Sequence, residues 1–167
     1  MAKIIPDGWR ELRVTGGAQR EIETLVSLER GLPDTYRVYH AVHWTNVGGG
    51  TGFSIYGEID FVVVNQSGDL LLIEQKSGPL EETPEGLVKR YDDTVKRVPA
   101  QMARNVAEFQ QKLYKRPGCN KIRVENLVYC PDYRVRCLAP RSLAVGYGYR
   151  VLRRLEGTRR FESTVEE

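Results

Sequence analysis

The side chains with the clearest chemical potential are Asp60, Glu74 and Lys76. They lie in two apolar, β-branched stretches, Phe53–Val64 and Leu70–Lys76, which are typical of β-strands. Because side chains alternate between the two faces of a strand, Glu74 and Lys76 share one face. Two carboxylates that converge form a hard-oxygen site suited to Mg²⁺ or Mn²⁺, and a neighbouring lysine can position a water molecule or neutralise charge on a phosphate.

The five residues between these stretches, Asn-Gln-Ser-Gly-Asp, are a strong turn sequence and predict a hairpin. A hairpin symmetric about Ser67 places Asp60 opposite Glu74, and Glu58 opposite Lys76. Facing residues of an antiparallel pair have Cβ atoms about 4.5–5.5 Å apart, so the two carboxylates repel each other. A divalent cation between them offsets that repulsion. The alternative is an ordinary surface ion pair at the end of a strand.

The other face of the predicted hairpin is continuously apolar. We expect it to lie in the core, and its members are Ile59, Phe61, Val63, Leu71 and Ile73.

The remaining pattern predicts an α/β fold, with a mixed central β-sheet flanked by helices. Helical spacing of apolar residues covers Ala18–Arg30 and Pro99–Tyr114. Further strands are expected at Tyr36–Trp44, Gly86–Tyr91, Ile122–Cys130 and, less regularly, Tyr147–Leu152.

Composition indicates a globular protein, since 41% of the 167 residues are hydrophobic and 28% are charged. We find no apolar run long enough for a membrane span and no signal peptide at the N-terminus. The three cysteines form no CxxC pair, which indicates neither a disulfide framework nor a zinc knuckle. We therefore expect a cytoplasmic protein with no membrane partner.

Charge is distributed unevenly along the chain. Residues 1–88 hold 7 Lys/Arg against 13 Asp/Glu, whereas residues 89–167 hold 18 against 9. Carboxylates beside a basic surface suit a divalent cation and a polyanionic substrate such as nucleic acid. The basic groups Lys89-Arg90, Lys96-Arg97 and Arg104 fit either a phosphate-tracking surface or ordinary solubilising charge.

These motifs resemble the NERD (nuclease-related) domain family, which is itself similar to the PD-(D/E)xK, restriction-endonuclease-like nucleases. The resemblance is carried by Gly57-Glu58-Ile59-Asp60 followed by Leu72-Ile73-Glu74-Gln75-Lys76-Ser77-Gly78, and it extends over roughly Gly17 to Tyr133. The segments from Leu32 to Val38 and from Cys130 to Tyr133 fit as well.

The resemblance implies a restriction-endonuclease-like core and metal-dependent hydrolysis of phosphodiester bonds. Asp60 and Glu74 would hold Mg²⁺ or Mn²⁺ together with the backbone carbonyl of Gln75, and Lys76 would assist the attacking water. The middle position of E-x-K is usually apolar in such proteins, so Gln75 departs from the pattern.

Two helix residues complete the implied site. Glu21 matches a glutamate expected on the first helix, and Gln101 matches a glutamine near the site. Both also fit solvated positions near a helix start, where an acid is favoured in any case.

Two readings of the function stay open. The first is a metal-dependent nuclease, acting on DNA rather than RNA. The second is a non-catalytic nucleic-acid-binding or accessory domain that works with a helicase. Relatives of this fold often pair, so a homodimer is also considered. Gly48-Gly49-Gly50-Thr51-Gly52 lacks the G-K-[ST] of a Walker A motif, which puts any motor outside this chain.

We expect residues 1–137 to form the nuclease-like domain. Residues 138–167 are expected to be an Arg-rich C-terminal tail, either partly disordered or the junction of a truncation.

Overall fold

A central seven-stranded sheet lies between two helices, with a small three-stranded sheet beside it. The computed structural model describes residues 1–12, 17–47, 54–84, 86–92, 94–133, 150–154 and 161–164. Its elements in chain order are β1 (Lys3–Ile5), α1 (Gly17–Gly31), β2 (Arg37–Val47), β3 (Ser54–Val64), β4 (Leu70–Gln75), β5 (Glu81–Thr83), β6 (Gly86–Tyr91), β7 (Thr94–Arg97), α2 (Val98–Tyr114), β8 (Val124–Cys130), β9 (Arg150–Arg154) and β10 (Phe161–Thr164).

The large sheet is mixed, with the order β1-β2-β3-β4-β8-β9-β10. β2, β3 and β4 form an antiparallel meander, whereas β4 pairs with β8 in parallel. A parallel neighbour needs a long crossover, and here the crossover contains the small sheet β5-β6-β7 and then α2. The predicted α/β architecture, a mixed sheet flanked by helices, is therefore confirmed.

Each helix covers one face of the large sheet with its apolar stripe. Leu25 of α1 is fully buried in one core cluster with Val38, Phe61 and Ile73. The other cluster contains the following residues of α2 and of the opposite sheet face: Val98, Met102, Val106, Ile59, Val62, Leu72 and Val128. α2 begins beside Pro99, whose missing N–H costs nothing in the first turn.

The predicted register of the hairpin is confirmed by the ladder. Val64 pairs with Leu70, and the pairing continues to Phe61 opposite Ile73. The turn holds because the Asn65 side chain accepts a hydrogen bond from the Asp69 N–H at 2.9 Å, and because Gly68 adopts φ 85°. The sequence of the turn thus sets the pairing of the two strands from Val64 and Leu70 as far as Phe61 and Ile73.

The prediction of one continuous apolar face along β3 is wrong at Asp60. Ile59 packs on the α2 side, whereas Phe61 packs on the α1 side, although two positions apart should share a face. The reason is a distortion of the neighbouring strand, because Ala41 of β2 adopts φ 53°. The β2–β3 ladder has pairs on both sides of Ala41 and Asp60 but does not include these two residues. At this point both strands turn over, so side chains that should share a face lie on opposite faces of the sheet.

Two short strands lie in the segment expected to be an Arg-rich tail. β9 pairs in parallel with β8, and β10 closes the edge of the sheet against β9. The predicted strand Tyr147–Leu152 is confirmed where it overlaps β9, and residues 147–149 lie outside the described residues. The division at residue 137 stays a prediction. In the described ranges no helix is long and apolar enough to cross a membrane.

Replacing Gly57 with alanine should destabilise the fold, because a Cβ there would lie 2.2 Å from the Trp44 ring. The indole has little room to move, since its N–H donates to Glu108 at 3.1 Å and its ring packs edge-on against Phe109. We expect Gly57→Ala to lower the free energy of unfolding by about 1–3 kcal/mol in urea titration. Gly8→Ala, which meets no atom within 4 Å, is the matched control, and an equal loss in both variants would contradict this account.

Candidate active site

The β3–β4 ladder ends where the Asp60 carboxylate, and not a backbone carbonyl of β3, accepts the next hydrogen bond from β4. Asp60 Oδ2 accepts a hydrogen bond from the backbone N–H of Gln75 at 2.6 Å. The last backbone pair is Phe61 with Ile73, so Asp60 and Glu74 stand just beyond the ladder. Both carboxylates line the same cleft, as the hairpin register predicted.

Glu74 is buried and is held by two polar side chains. Its Oε1 accepts a hydrogen bond from Lys76 Nζ at 2.5 Å and one from Gln101 Nε2 at 3.2 Å. Its Oε2 is buried and has no hydrogen-bond partner among the described residues. A buried carboxylate oxygen without a partner is costly, so this atom is suited to bind a cation.

Burial governs the ionisation of this group of residues. Desolvation and the Glu74 charge raise the pKa of Asp60 to about 7, and the Gln75 N–H and Lys76 oppose that shift. Burial lowers the pKa of Lys76, but Glu74 and Asp60 together raise it above its ordinary value. Lys76 therefore stays cationic, whereas Asp60 gains a proton near neutral pH when no cation is bound.

Asp60, Glu74 and Lys76 line a cleft of about 900 Å³. The β3 and β4 strands contribute the carboxylates of Glu58, Asp60 and Glu74 to the cleft lining. The residues of β7 and α2 that line it include Lys96, Arg97 and Arg104, which we call the basic wall, and also Glu108. Such a distribution of charge lets the carboxylates hold a cation while the basic wall contacts a polyanion.

Gln75 connects the strand end to α1. Its side-chain Oε1 accepts a hydrogen bond from the Thr24 hydroxyl at 2.6 Å, and its Nε2 donates to Ser77 Oγ at 3.2 Å. Both Thr24 and Gln75 are buried polar residues. The expectation that the Gln75 side chain faces away from Glu74 is therefore confirmed, and its partner explains why a polar residue is tolerated there.

A second connection lies in the turn after β8. Asp132 accepts a hydrogen bond from the Gly78 N–H at 3.1 Å and pairs with Arg20 of α1 at 2.8 Å. Because Gly78 follows Lys76 by two residues, Asp132 fixes the path of the chain as it leaves the site. This contact gives the Cys-Pro-Asp-Tyr segment a structural role.

Glu21 lies on the α1 side and does not line the cleft. Its carboxylate is 2.9 Å from Nε2 of His40, whose ring stacks on Phe61. Glu21 is still close enough for its charge to raise the pKa of Asp60, although it is the weakest of the contributions. Among the described residues, no three His, Cys, Asp or Glu side chains are grouped closely enough to hold a metal ion.

Comparison with known proteins matches this chain to one family. The family model for the nuclease-related domain, NERD, covers residues 16–131. The chain belongs to the NERD family. The matched range contains both helices and the whole β2–β8 core, and it ends one residue after β8. No curated protein matches the chain. No solved structure matches it either.

Within this NERD domain, the structure brings four of the predicted site residues together: Asp60, Glu74, Lys76 and Gln101. Glu21 remains separate, paired with His40. The backbone of Gln75 is part of the site through its N–H, and its carbonyl stays a proposed metal ligand. The roles of all six residues stay predictions.

Sequence reasoning missed three supporting contacts. Thr24 bonds to Gln75, His40 bonds to Glu21, and the Lys89 ammonium donates to the Ser77 carbonyl at 2.8 Å. A polar side chain that is buried on the helix-covered face of a strand needs a polar partner, so Gln75, at the end of β4, was itself a signal for a contact such as that of Thr24. The other two contacts join elements distant in sequence and have no local signal.

The raised pKa of Asp60 predicts a pH-dependent stability for the cation-free protein. Between about pH 4 and pH 7 the folded state binds a proton that the unfolded state releases, so the free energy of unfolding falls as pH rises through this window. Asp60→Asn keeps an acceptor for the Gln75 N–H but does not titrate. We expect urea titrations in EDTA to show wild type losing stability relative to Asp60→Asn by at most about 1.4 kcal/mol per pH unit.

Glu125→Gln, which alters an exposed carboxylate paired with Arg123, serves as the control for this titration. It should follow the wild-type pH profile. If the free energies of unfolding of wild type and Asp60→Asn changed in parallel from about pH 5 to pH 8, Asp60 would not titrate as described.

The Thr24–Gln75 contact predicts non-additive mutations. Thr24→Val leaves the buried Gln75 oxygen without a donor and should cost about 1–3 kcal/mol of unfolding free energy. The double variant Thr24→Val with Gln75→Met replaces both polar groups by apolar ones of similar shape. It should be more stable than Thr24→Val alone in urea titration. Additive losses would argue against a shared hydrogen bond.

Proposed function

We propose that this NERD domain is a metal-dependent nuclease that hydrolyses phosphodiester bonds of nucleic acid, with DNA as the preferred substrate. The observation that carries the proposal is the buried Oε2 of Glu74, which has no hydrogen-bond partner in the described part of the chain and lies beside Asp60 and Lys76. A hard-oxygen cation is the group that these carboxylates fit, since Mg²⁺ and Mn²⁺ prefer such ligands.

The residues present fit a bound Mg²⁺ or Mn²⁺. Asp60 and Glu74 would hold it, with the Gln75 carbonyl as a further oxygen ligand. A bound divalent cation lowers the pKa of water and neutralises charge that develops on a phosphate. Its charge would also favour the ionised form of Asp60, whose pKa is raised when the cation is absent.

The chain's own residues supply the other requirements of hydrolysis. The reaction forms one P–O bond to water and breaks the P–O bond to a sugar oxygen, which leaves with a proton. Lys76, kept cationic by Glu74, can orient the water or offset negative charge on the phosphate. Gln101 steadies the Glu74 oxygen that Lys76 also contacts, so it is a positioning residue.

The basic wall supports a polyanionic substrate. Lys96, Arg97 and Arg104 line the same cleft as the carboxylates, so they could contact phosphates next to the scissile one. Arg90 does not contribute, because it pairs with Glu81 through two hydrogen bonds. Phosphate contacts of this kind fix register and orientation without reading sequence.

The test is cleavage of mixed single- and double-stranded DNA with Mg²⁺, Mn²⁺ or EDTA. We expect wild type to cleave only with metal. Asp60→Ala and Lys76→Ala should each lower the rate by at least about a hundredfold, the usual scale for losing a charge-stabilising group. Glu125→Gln and Lys121→Ala change an exposed acid and an exposed base outside the cleft and should retain the wild-type rate.

The second candidate is a nucleic-acid-binding domain that does not cleave, which the basic wall favours equally. DNA binding without cleavage in any metal would support it. Thermal unfolding tests metal binding separately from cleavage. Mg²⁺ or Mn²⁺ should raise the melting temperature of wild type but not of Asp60→Ala. Cleavage that survives in both cleft variants would overturn the catalytic assignment.

A further inference from the structure

The exposed ring of Tyr91 is flanked by two ammonium groups on the β6–β7 hairpin. Lys89 Nζ lies 5.5 Å and Lys96 Nζ lies 5.0 Å from the centre of the ring. Tyr91 is nevertheless 44% exposed, so part of its ring is accessible to a ligand. We call these three residues the tyrosine platform.

The two lysines of the platform place like charges on neighbouring strands. They are direct partners in the β6–β7 ladder, and like charges in that position repel each other. Among the described residues, which exclude Glu85 and Asp93, neither ammonium forms an ion pair. Their combined positive charge is therefore suited to an anion from outside.

The platform stands at the rim of the candidate active site. Lys96 lines the cleft, and Lys89 donates to the carbonyl of Ser77, the residue after Lys76. The Tyr91 hydroxyl is also near enough to Lys76 to interact with its charge. A nucleotide on the platform would thus be a near neighbour of a phosphate in the cleft.

We propose that Tyr91 stacks against an unpaired base of the nucleic acid, while Lys96 contacts the adjoining phosphate. This inference rests on the nuclease function proposed above and names its substrate class: single strands or overhangs rather than uninterrupted duplex. In a duplex, base faces are covered by their neighbours, so the ring has nothing to stack on. A free base presents a π-face that an exposed aromatic ring can bind.

The lysines do not block the ring. An exposed cation–π contact is weak in water, and lysine has a flexible stem, so an ammonium can leave the ring for a phosphate when a base arrives. The positive charge then stays beside the base that it helped to attract.

The test measures binding in EDTA, which separates affinity from cleavage. The probes are a short DNA single strand, the same strand in a duplex with an overhang, and a blunt duplex. Each carries a fluorescent adenine analogue whose emission is quenched by stacking. Tyr91→Leu should weaken binding of the single strand and overhang about tenfold, abolish the protein-induced quenching, and change blunt-duplex binding less than about twofold.

Two further variants identify the ring itself as the cause. Tyr91→Phe keeps the π-face and should bind and quench as wild type does. Tyr39→Leu removes another exposed tyrosine that lines no part of the cleft, and it should leave all three affinities unchanged. Circular dichroism melts would verify that each variant is folded.

The outcomes distinguish failure of the platform from failure of the nuclease. If wild type binds no probe and cleaves no DNA, both proposals fall. If wild type binds and cleaves DNA but Tyr91→Leu holds unpaired DNA as tightly, the platform is wrong and the nuclease proposal stands; if wild type binds without cleaving, the nuclease proposal falls and the Tyr91→Leu affinities alone decide the platform. Equal weakening for single strand and blunt duplex would also overturn it, because a general electrostatic role gives no preference for unpaired bases.

Discussion

Two carboxylates held together just beyond the end of the β3–β4 ladder impose the arrangement of the groups that contact them. Asp60 and Glu74 repel each other in a desolvated setting, and each needs compensation. For Asp60 it comes from the Gln75 N–H, which also ends the ladder at the point where the cleft opens. For Glu74 it comes from Lys76 and Gln101, which bring a strand end and α2 to the same oxygen. The second Glu74 oxygen has no hydrogen-bond partner among the described residues, and this is why a cation is proposed to bind there.

The surrounding fold holds this unfavourable group in place from both sides of the sheet. On the α1 side, Thr24 fixes the Gln75 side chain, and Arg20 reaches Asp132, whose other oxygen holds Gly78. On the α2 side, Trp44 fills the space above Gly57 and bonds to Glu108. These contacts keep the strand end rigid, which a site needs if its groups are to be in position before substrate binds. The strained backbone at Ala41 lies opposite Asp60, where such strain commonly accompanies function.

Features that depend on neighbouring residues in the sequence could be predicted, and those that depend on distant ones could not. The Asn65–Asp69 turn sets the hairpin register, so the convergence of Asp60 and Glu74 follows from local signals. The face switch does not, because its cause is the φ angle of Ala41 on another strand and alanine carries no sequence signal for it. Glu21 fits the family pattern, yet its contact with His40 appears only when α1 packs across β2. Of the three strands of the small sheet only β6 was predicted, because it has a strand pattern, whereas β5 and the fully exposed β7 are short and have little apolar content to reveal them.

That small sheet gives the NERD core a second wall and, with it, a basis for substrate choice. In the proposed nuclease, the carboxylates and Lys76 would act on the phosphodiester group, which is the same for every base. Discrimination would then come from groups farther along the nucleic acid, and β6 and β7 carry the exposed ring of Tyr91 and two lysines beside the cleft. Ring stacking is tolerant of sequence but needs an accessible base face. A cleft built in this way would select substrates by whether their bases are paired and not by which bases they are.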